Sequence, residues 1–562
     1  MGMRSYRSGV FIVYFFLLLL SGFRSLGQWQ LAGGAEGPIH TADTHIATDD
    51  SGNVYVAGSF TGRNMSFFLK TLYNDSAGGE DIFLARYNAA GHQLWEKRIG
   101  GRGSDRIRGL AVDGQGNITI SGDFTGNTCS FDSVTVSGSG CPKFFLAHFN
   151  PNGNLRWVRT CGYADNWPGC PENYGSDIAT AGGYIFASMY FVGTMVLGAD
   201  TFRTSLYDRY ESLVLKYDTT GQLLWSRQIH SEPYTFVVVT SLAVDSSQNV
   251  YGAGLSDGNT QVAAPVSAAG GGYRWKHFLF KLDSSGAGRH ISKLFSNSCC
   301  DKTLFRVATG GYNTVYVAGY FGNANTDSLK LGSSALITTA PGTSDLFLAR
   351  YDTTCNLLWA RNAAGTGNDY LYGLAADSRG RAYIAGSFYS TTIAFGTHLL
   401  YRKDTFSACF AACDSNGVFV YARGADGGGN NSVAGITCRN TGEVYVAGNF
   451  NDSIRLGIWG HHLPTGGENA FFWAQYHETG LDGVTRVGSS TISLWPNPCN
   501  TQGILHLSAQ VQQAVLTDVA GKVVANWRQT ALLQLPALLP GVYLLKATVD
   551  NITWNSVLVH VE

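Results

Sequence analysis

One short phrase returns seven times along this chain at nearly constant spacing. Its clearest copies are Val54-Tyr-Val-Ala-Gly-Ser-Phe60, Val315-Tyr-Val-Ala-Gly-Tyr-Phe321, Ala382-Tyr-Ile-Ala-Gly-Ser-Phe388 and Val444-Tyr-Val-Ala-Gly-Asn-Phe450, with looser copies ending at Phe124, Phe191 and Ser256. Successive copies lie 62 to 67 residues apart. A period that steady means that each repeat is one structural unit, buried against its neighbours.

Each period carries a second phrase, Asp81-Ile-Phe-Leu-Ala-Arg-Tyr87 in the first copy and Asp345-Leu-Phe-Leu-Ala-Arg-Tyr351 in the fifth. Eight residues later comes an aromatic, Trp95, Trp157, Trp225, Trp359 or Tyr421, with His290 in the copy that breaks the rule. The Gly-bearing turn between them predicts a β-hairpin. The first phrase also follows an apolar run and a turn, as in Leu110-Ala-Val-Asp-Gly-Gln-Gly-Asn117. Four short strands per period without helical periodicity predict a propeller blade.

The seventh third strand ends near Tyr476 and no fourth strand follows it. Near the other end, Trp29-Gln-Leu-Ala-Gly-Gly34 mirrors Trp95-Glu-Lys-Arg-Ile-Gly-Gly101. The repeat count balances if this N-terminal strand completes the last blade, which also removes two open sheet edges. The expected fold is therefore all-β: a seven-bladed β-propeller over 28–480 closed by its N-terminal strand, a linker at 481–491 and a small C-terminal β-sandwich at 492–562. Long, variable connections such as Thr61 to Glu80, Val158 to Ser176 and Ser226 to Thr240 are expected to gather on one face and to carry any specific binding.

A net charge of -1 with 14% charged residues offers no basic stripe for nucleic acid. Residues 1–27 read as a secretory signal peptide: Arg4 and Arg7, an apolar run from Val10 to Leu20, then small residues before Gln28. That run is too short to span a bilayer. The mature protein is thus expected to be secreted, soluble or surface-attached. Eleven cysteines suit an oxidising compartment, with Cys129–Cys141 and Cys161–Cys170 as candidate local bridges, and Cys409 and Cys413 as buried thiols. No Cys/His spacing resembles a zinc site, and no metal or other cofactor is expected.

Asp49, Asp113, Asp245 and Asp377 recur at the first turn of the repeat, where an Asx-type turn explains them better than a calcium loop. Asp105, Asp369 and Asn431 sit near the entrance of the first strand, where capping of the loop is the plainer role, and they are the candidate ligand-binding groups at a channel mouth. Gly254-Leu-Ser-Asp-Gly258 matches a nucleophile elbow, but it is a copy of the repeat phrase without the strand-to-helix context, so no catalytic residue is assigned. His461-His462 reads as an exposed loop pair. The Trp series reads as core packing, because its members hold one strand position in successive repeats.

The pattern changes after Thr491. Leu494-Trp-Pro496-Asn497-Pro498-Cys499 opens the last segment, the Asp518-Val-Ala-Gly521-Lys-Val hairpin follows, and Leu539-Pro-Gly541-Val-Tyr543 begins a strand. Together these resemble the C-terminal sorting domain of cargo for the type IX secretion system of Gram-negative bacteria, which implies export across the outer membrane by that machinery. The repeats are similar to the bacterial propeller repeats called SBBP, through Asp-x-x-Gly-Asn-Val-Tyr-Val-Ala-Gly and Phe-Leu-Ala-Arg-Tyr, which implies a fold and an extracellular setting. The function these features predict is a non-enzymatic surface scaffold binding protein or glycan; the alternative is a propeller enzyme acting on polysaccharide, which needs two facing carboxylates.

Overall fold

A computed structural model describes residues 28–37, 44–67, 70–75, 79–163, 172–204, 209–262, 267–268, 276–296, 305–322, 328–332, 334–456, 459–463, 469–478, 494–495, 504–518, 522–535, 541–549 and 552–560. Contacts divide the chain into a unit spanning Gly27–Glu478 and a second that includes Thr479–Glu562.

In the first unit each repeat folds into four antiparallel strands paired in chain order. Sheet 1 is His45–Thr48, Val54–Phe60, Asp81–Tyr87 and Gln93–Ile99; sheet 2 is Asp105–Val112, Ile118–Phe124, Lys143–Phe149 and Leu155–Thr160. Sheet 3 is Asn173–Ala181, Tyr184–Phe191, Glu211–Asp218 and Leu223–Ser231; sheet 4 is Val237–Val244, Val250–Ser256, Lys276–Leu282 and Gly288–Ser296. Sheet 5 is Arg306–Gly310, Thr314–Phe321, Asp345–Asp352 and Leu357–Gly365; sheet 6 is Asp369–Ala376, Ala382–Phe388, Ser407–Cys413 and Phe419–Gly424. Sheet 7 takes Asn431–Cys438, Glu443–Phe450 and Ala470–His477 from its own repeat and Gln28–Glu36 as its fourth strand. First strands touch in a closed cycle, sheet 1 to 2 and onward to 7, and sheet 7 back to sheet 1.

The second strand of each sheet is buried on both faces, as in Val54–Phe60, because neighbouring sheets cover it on either side. Its tight turns are braced by aspartates. Asp113 Oδ1 accepts the amides of Gln115 at 3.0 Å and Asn117 at 2.8 Å, and Asp49, Asp245 and Asp377 act alike. The same device recurs at the turn between third and fourth strands, at Asp218, Asp283, Asp352 and Asp414.

The Trp series joins sheets. Trp95, Trp157, Trp225 and Trp359 donate their indole N–H to the carbonyls of Pro151, Thr219, Ser284 and Ser415, at 3.0 to 3.2 Å, each in the third turn of the next sheet. Two residues on, Arg159, Arg227 and Arg361 donate Nε to the carbonyls of Gly221, Gly286 and Gly417 in the same turns. The indole lies against the turn glycine: a Cβ on Gly417, whose φ is +83°, would come within 3.0 Å of Trp359. Where His290 replaces Trp, the facing turn carries Cys355 instead of Gly, at φ +64°. No indole stands there to exclude its Cβ.

Trp29 departs from the expected mirror of Trp95. It pairs with Tyr476, and Leu31 pairs with Gln475, so Leu31 takes the slot that Trp95 holds opposite Arg86. The Trp29 indole packs edge-on against Phe410 of sheet 6 and Tyr476, with centroids 5.3 and 5.5 Å away. The strand closes the sheet as expected; its aromatic serves a different joint.

The connections between second and third strands, expected as variable loops, each hold a two-stranded hairpin. Every hairpin pairs with the end of the fourth strand of the preceding sheet: Ser66 with Glu36, Ser130 with Gly100, Val196 with Gly162, Val262 with Ile229, Lys330 with Phe295, Ile393 with Gly365 and Arg455 with Asp426. Segments nominated for binding, Thr61 to Glu80 among them, are thus committed to sealing joints.

Neither local disulfide forms. Cys129 and Cys161 are free and buried, Cys129 inside the core shared by sheets 1 and 2 and Cys161 donating to Asn173 Oδ1 at 2.9 Å. Cys141 is disulfide-bonded elsewhere, and Cys170 lies outside the described residues. Cys129 faces inward on its strand, so it cannot meet a cysteine on the loop beyond. Cys409 and Cys413 are buried free thiols, as read from their strand positions.

In the second unit, Leu494–Trp495, Ile504–Asp518, Val523–Gln534, Gly541–Val549 and Ile552–His560 pair as one five-stranded antiparallel sheet among the described residues. Leu507, Val511, Ala514, Leu516, Leu533, Leu535 and Leu545 form its core. The hairpin is present, with Asp518 Oδ1 accepting the Lys522 amide at 2.9 Å. The signal segment 1–27, the linker 481–491, Pro496, Asn497, Pro498 and Gly521 lie outside the described residues.

Replacing Trp359 by Ala removes an indole and its hydrogen bond from one joint and should cost about 2–4 kcal/mol. Gly417→Ala should cost about 1–3 kcal/mol through backbone strain and the clash with Trp359. Urea unfolding midpoints measure both, and a Cys355→Gly change, which relieves a positive φ while deleting a side chain buried in the core of sheets 4 and 5, should move the midpoint less than either.

Candidate functional site

First strands alternate in burial, and that alternation decides which residues can reach a ligand. Asp105, Asp369 and Asn431 each open a first strand and are each buried, at 0, 0 and 1% exposure. They turn into the joint between sheets. Asp369 accepts the amides of Tyr389 and Ser390 at 3.1 and 3.2 Å and the Ser390 hydroxyl at 2.8 Å. Asn431 Oδ1 accepts the Ala408 amide of sheet 6 at 2.8 Å. Asp105 accepts the Gly101 amide at 2.8 Å and lies beside Asp81. Asn173, which the sequence reading missed, does the same work, accepting the Phe144 amide at 2.6 Å. Its only sequence signal was its position at the head of the third repeat. These residues therefore brace joints, and the expectation that they face a channel mouth is corrected.

The next residue along points the other way. Arg106 and Arg108 in sheet 2, Tyr174 in sheet 3, and Tyr370 and Tyr372 in sheet 6 are only partly buried, on the side of the first strands turned from their own cores. Groups from distant repeats meet there. Burial pushes His45 of sheet 1 down to about 3, and the charges of Arg306 from sheet 5 and Arg108 from sheet 2 push in the same direction.

Two tyrosine clusters flank this space where first strands begin and second strands end. In sheet 3, Tyr174 stacks on Tyr190 at 5.1 Å, Tyr210 meets Tyr190 edge-on at 5.3 Å, and the Tyr210 hydroxyl donates to Glu172. Tyr320, Tyr370, Tyr389 and Phe406 form a run across sheets 5 and 6, with successive centroids 5.1, 5.7 and 4.9 Å apart. Tyr389 is 36% exposed. Arg106 pairs with Glu80, and Arg108 pairs with Asp123 at 2.8 Å, which fixes the Arg108 guanidinium near Tyr190 of the first cluster. Aromatic faces framed by fixed donors can stack on sugar rings or on the side chains of a peptide while hydrogen-bonding its polar edge. Among the described residues no group of three or more His, Cys, Asp or Glu could hold a metal ion.

Burial pushes the Asp369 carboxyl up to about 7; the Ser390 hydrogen bonds oppose this and the charge of Asp345 adds to it. An unfolded aspartate titrates at about 3.9, so between about pH 4 and about pH 7 the folded protein keeps a proton that the unfolded chain has lost. This contribution to stability is full below that window and is lost as the pH rises through it. Asp369→Asn carries no such proton, so its thermal midpoint relative to wild type should become more favourable from about pH 4 to about pH 8. A pH-independent difference would contradict the assignment.

No family model matches the chain. An uncharacterized WD repeat-containing protein of Acanthamoeba polyphaga mimivirus is 24% identical over 436 residues, covering 73% of this chain and 29% of that protein. The regulatory protein FlaEY of Caulobacter vibrioides is 24% identical over 264 residues, covering 44% of this chain and 26% of its own length. The chain thus spans less than a third of either relative. Among solved structures, a protein of unknown function from Dyadobacter fermentans superposes with a TM-score of 0.39 at 8% identity, covering 80% of this chain and 99% of its own. A PL25 ulvan lyase gives 0.38 at 11% identity, with 75% and 92% covered.

Proposed function

We propose that Gln28–Glu478 is a seven-bladed propeller whose blades are the seven sheets, and that it serves as a non-enzymatic extracellular scaffold binding glycan or protein through the tyrosine-flanked mouth. The observation that carries this reading is the Tyr320, Tyr370, Tyr389 and Phe406 run. Its rings span two sheets and keep partly open faces, where a core would close them. The cycle of first-strand contacts and the WD-repeat likeness support the ring. The second unit is the address for type IX export, a reading supported by the Asp518 to Lys522 turn and the strand that opens at Gly541.

A glycan array and a pull-down from surface-exposed proteins, run with the purified chain, should each be compared with Tyr370→Ala and Tyr389→Ala. Loss of one stacking ring should weaken binding roughly tenfold with little change in unfolding midpoint. Ligands bound equally by wild type and both variants would place recognition elsewhere. A reporter fused to residues 492–562 should reach the medium or surface of a type IX-competent cell and stay inside one lacking the machinery.

A further inference from the structure

On the opposite edge of the sheets, at the joint between sheets 2 and 3, a cavity of about 210 Å³ is walled by Asp113, Asn117, Thr119, His148, Tyr184 and Thr219, among others. Its origin is legible by comparing repeats. At the sixth position of the third strand stand Arg86, Lys216, Lys281 and Arg350 in sheets 1, 3, 4 and 5, and each cation crosses its joint to the next sheet's third turn. Arg86 donates to the Pro151 carbonyl at 2.8 Å, Lys216 to Ser284 at 3.3 Å, Lys281 to Thr353 at 2.7 Å, and Arg350 to Ser415. Three of these cations also lie over a second-strand tyrosine ring, at 4.2 to 5.3 Å.

Sheet 2 has His148 in the cation position and Thr119 in place of the tyrosine opposite. Both side chains are shorter, and the cavity is what they leave. The equivalent acceptor, the Thr219 carbonyl, still receives the Trp157 indole at 3.0 Å and keeps its second lone pair. Asp113 sits where Asp49 lies 4.0 Å from Arg86 in sheet 1. His148 is 3% exposed, with Nδ1 bonded to Thr119 at 2.9 Å and Nε2 without a partner among the described residues. Two charges act on its ring, Arg156, which is exposed, and Asp113 on the cavity wall.

We propose that this cavity is a binding site for a guanidinium or primary ammonium group, which takes the place that Arg or Lys holds at the joints of sheets 1, 3, 4 and 5. Its N–H groups donate to the Thr219 carbonyl, the Asp113 carboxylate and His148 Nε2, with Nδ1–H given to Thr119, and its apolar stem lies against Tyr184. The site reads charge and hydrogen-bond geometry, so a free alkylguanidine and an arginine side chain on a peptide are equally suitable heads.

The test is thermal shift of the full chain with ethylguanidinium, n-propylammonium and acetyl-Gly-Arg-Gly-amide, each against equal sodium chloride. At about 20 mM a binding cation should raise the wild-type midpoint by roughly 1–2 °C. His148→Arg, which supplies the head from within, should melt higher than wild type and lose the response. Asp113→Asn keeps the turn acceptor but not the charge; it should fold and show at most half the shift. A response to the peptide as well assigns the head to a partner's side chain, and a response to the free cations alone assigns it to small amines. Equal shifts in wild type and Asp113→Asn, or no shift beyond that of sodium chloride, would overturn the site.

Discussion

The indole-to-turn contact between consecutive sheets is the interaction on which the rest depends. A four-stranded sheet of this length cannot bury both of its faces alone. Trp95, Trp157, Trp225 and Trp359 each reach across a joint, donate one hydrogen bond and lie flat on the turn beyond, while the basic residue two positions later ties down the same turn. The repeat phrase is conserved within the chain because it encodes both halves of this contact. Strand four supplies the aromatic, and the next copy supplies an aspartate-braced turn with a glycine at its corner. At the joint between sheets 4 and 5 both halves differ together, His290 standing for Trp and Cys355 for Gly.

Much of this was legible from sequence because period-two burial and turn chemistry are local properties. Strand positions, braced turns, the strand shared between the two ends and the buried Cys409 and Cys413 all follow from them. What failed was whatever depended on direction or partner. Asp105, Asp369 and Asn431 recur at the right height in the repeat, but successive side chains on a strand point to opposite faces, so the accessible groups are their neighbours Arg106 and Tyr370. Recurrence marks a shared structural duty as readily as a shared ligand, and here it marked the former.

The hairpins between second and third strands were missed for a related reason. Their sequences differ from copy to copy because their specificity lies in main-chain pairing with the preceding sheet, which asks little of side chains. Variable sequence therefore conceals a repeated device. The tyrosine clusters were invisible for the opposite reason, since each is assembled from single residues in different strands and, in sheets 5 and 6, different repeats.

The strand shared between the two ends has a consequence for the making of the protein. Gln28–Glu36 precedes the first repeat and pairs with Ala470–His477, more than four hundred positions later. Contacts of such long range close slowly. Until the seventh repeat has folded, the incomplete arc keeps an unsatisfied ladder at its leading and trailing margins, where another unfolded chain could add. Pairing of the first strand with the last, rather than folding of any one repeat, ends that exposure.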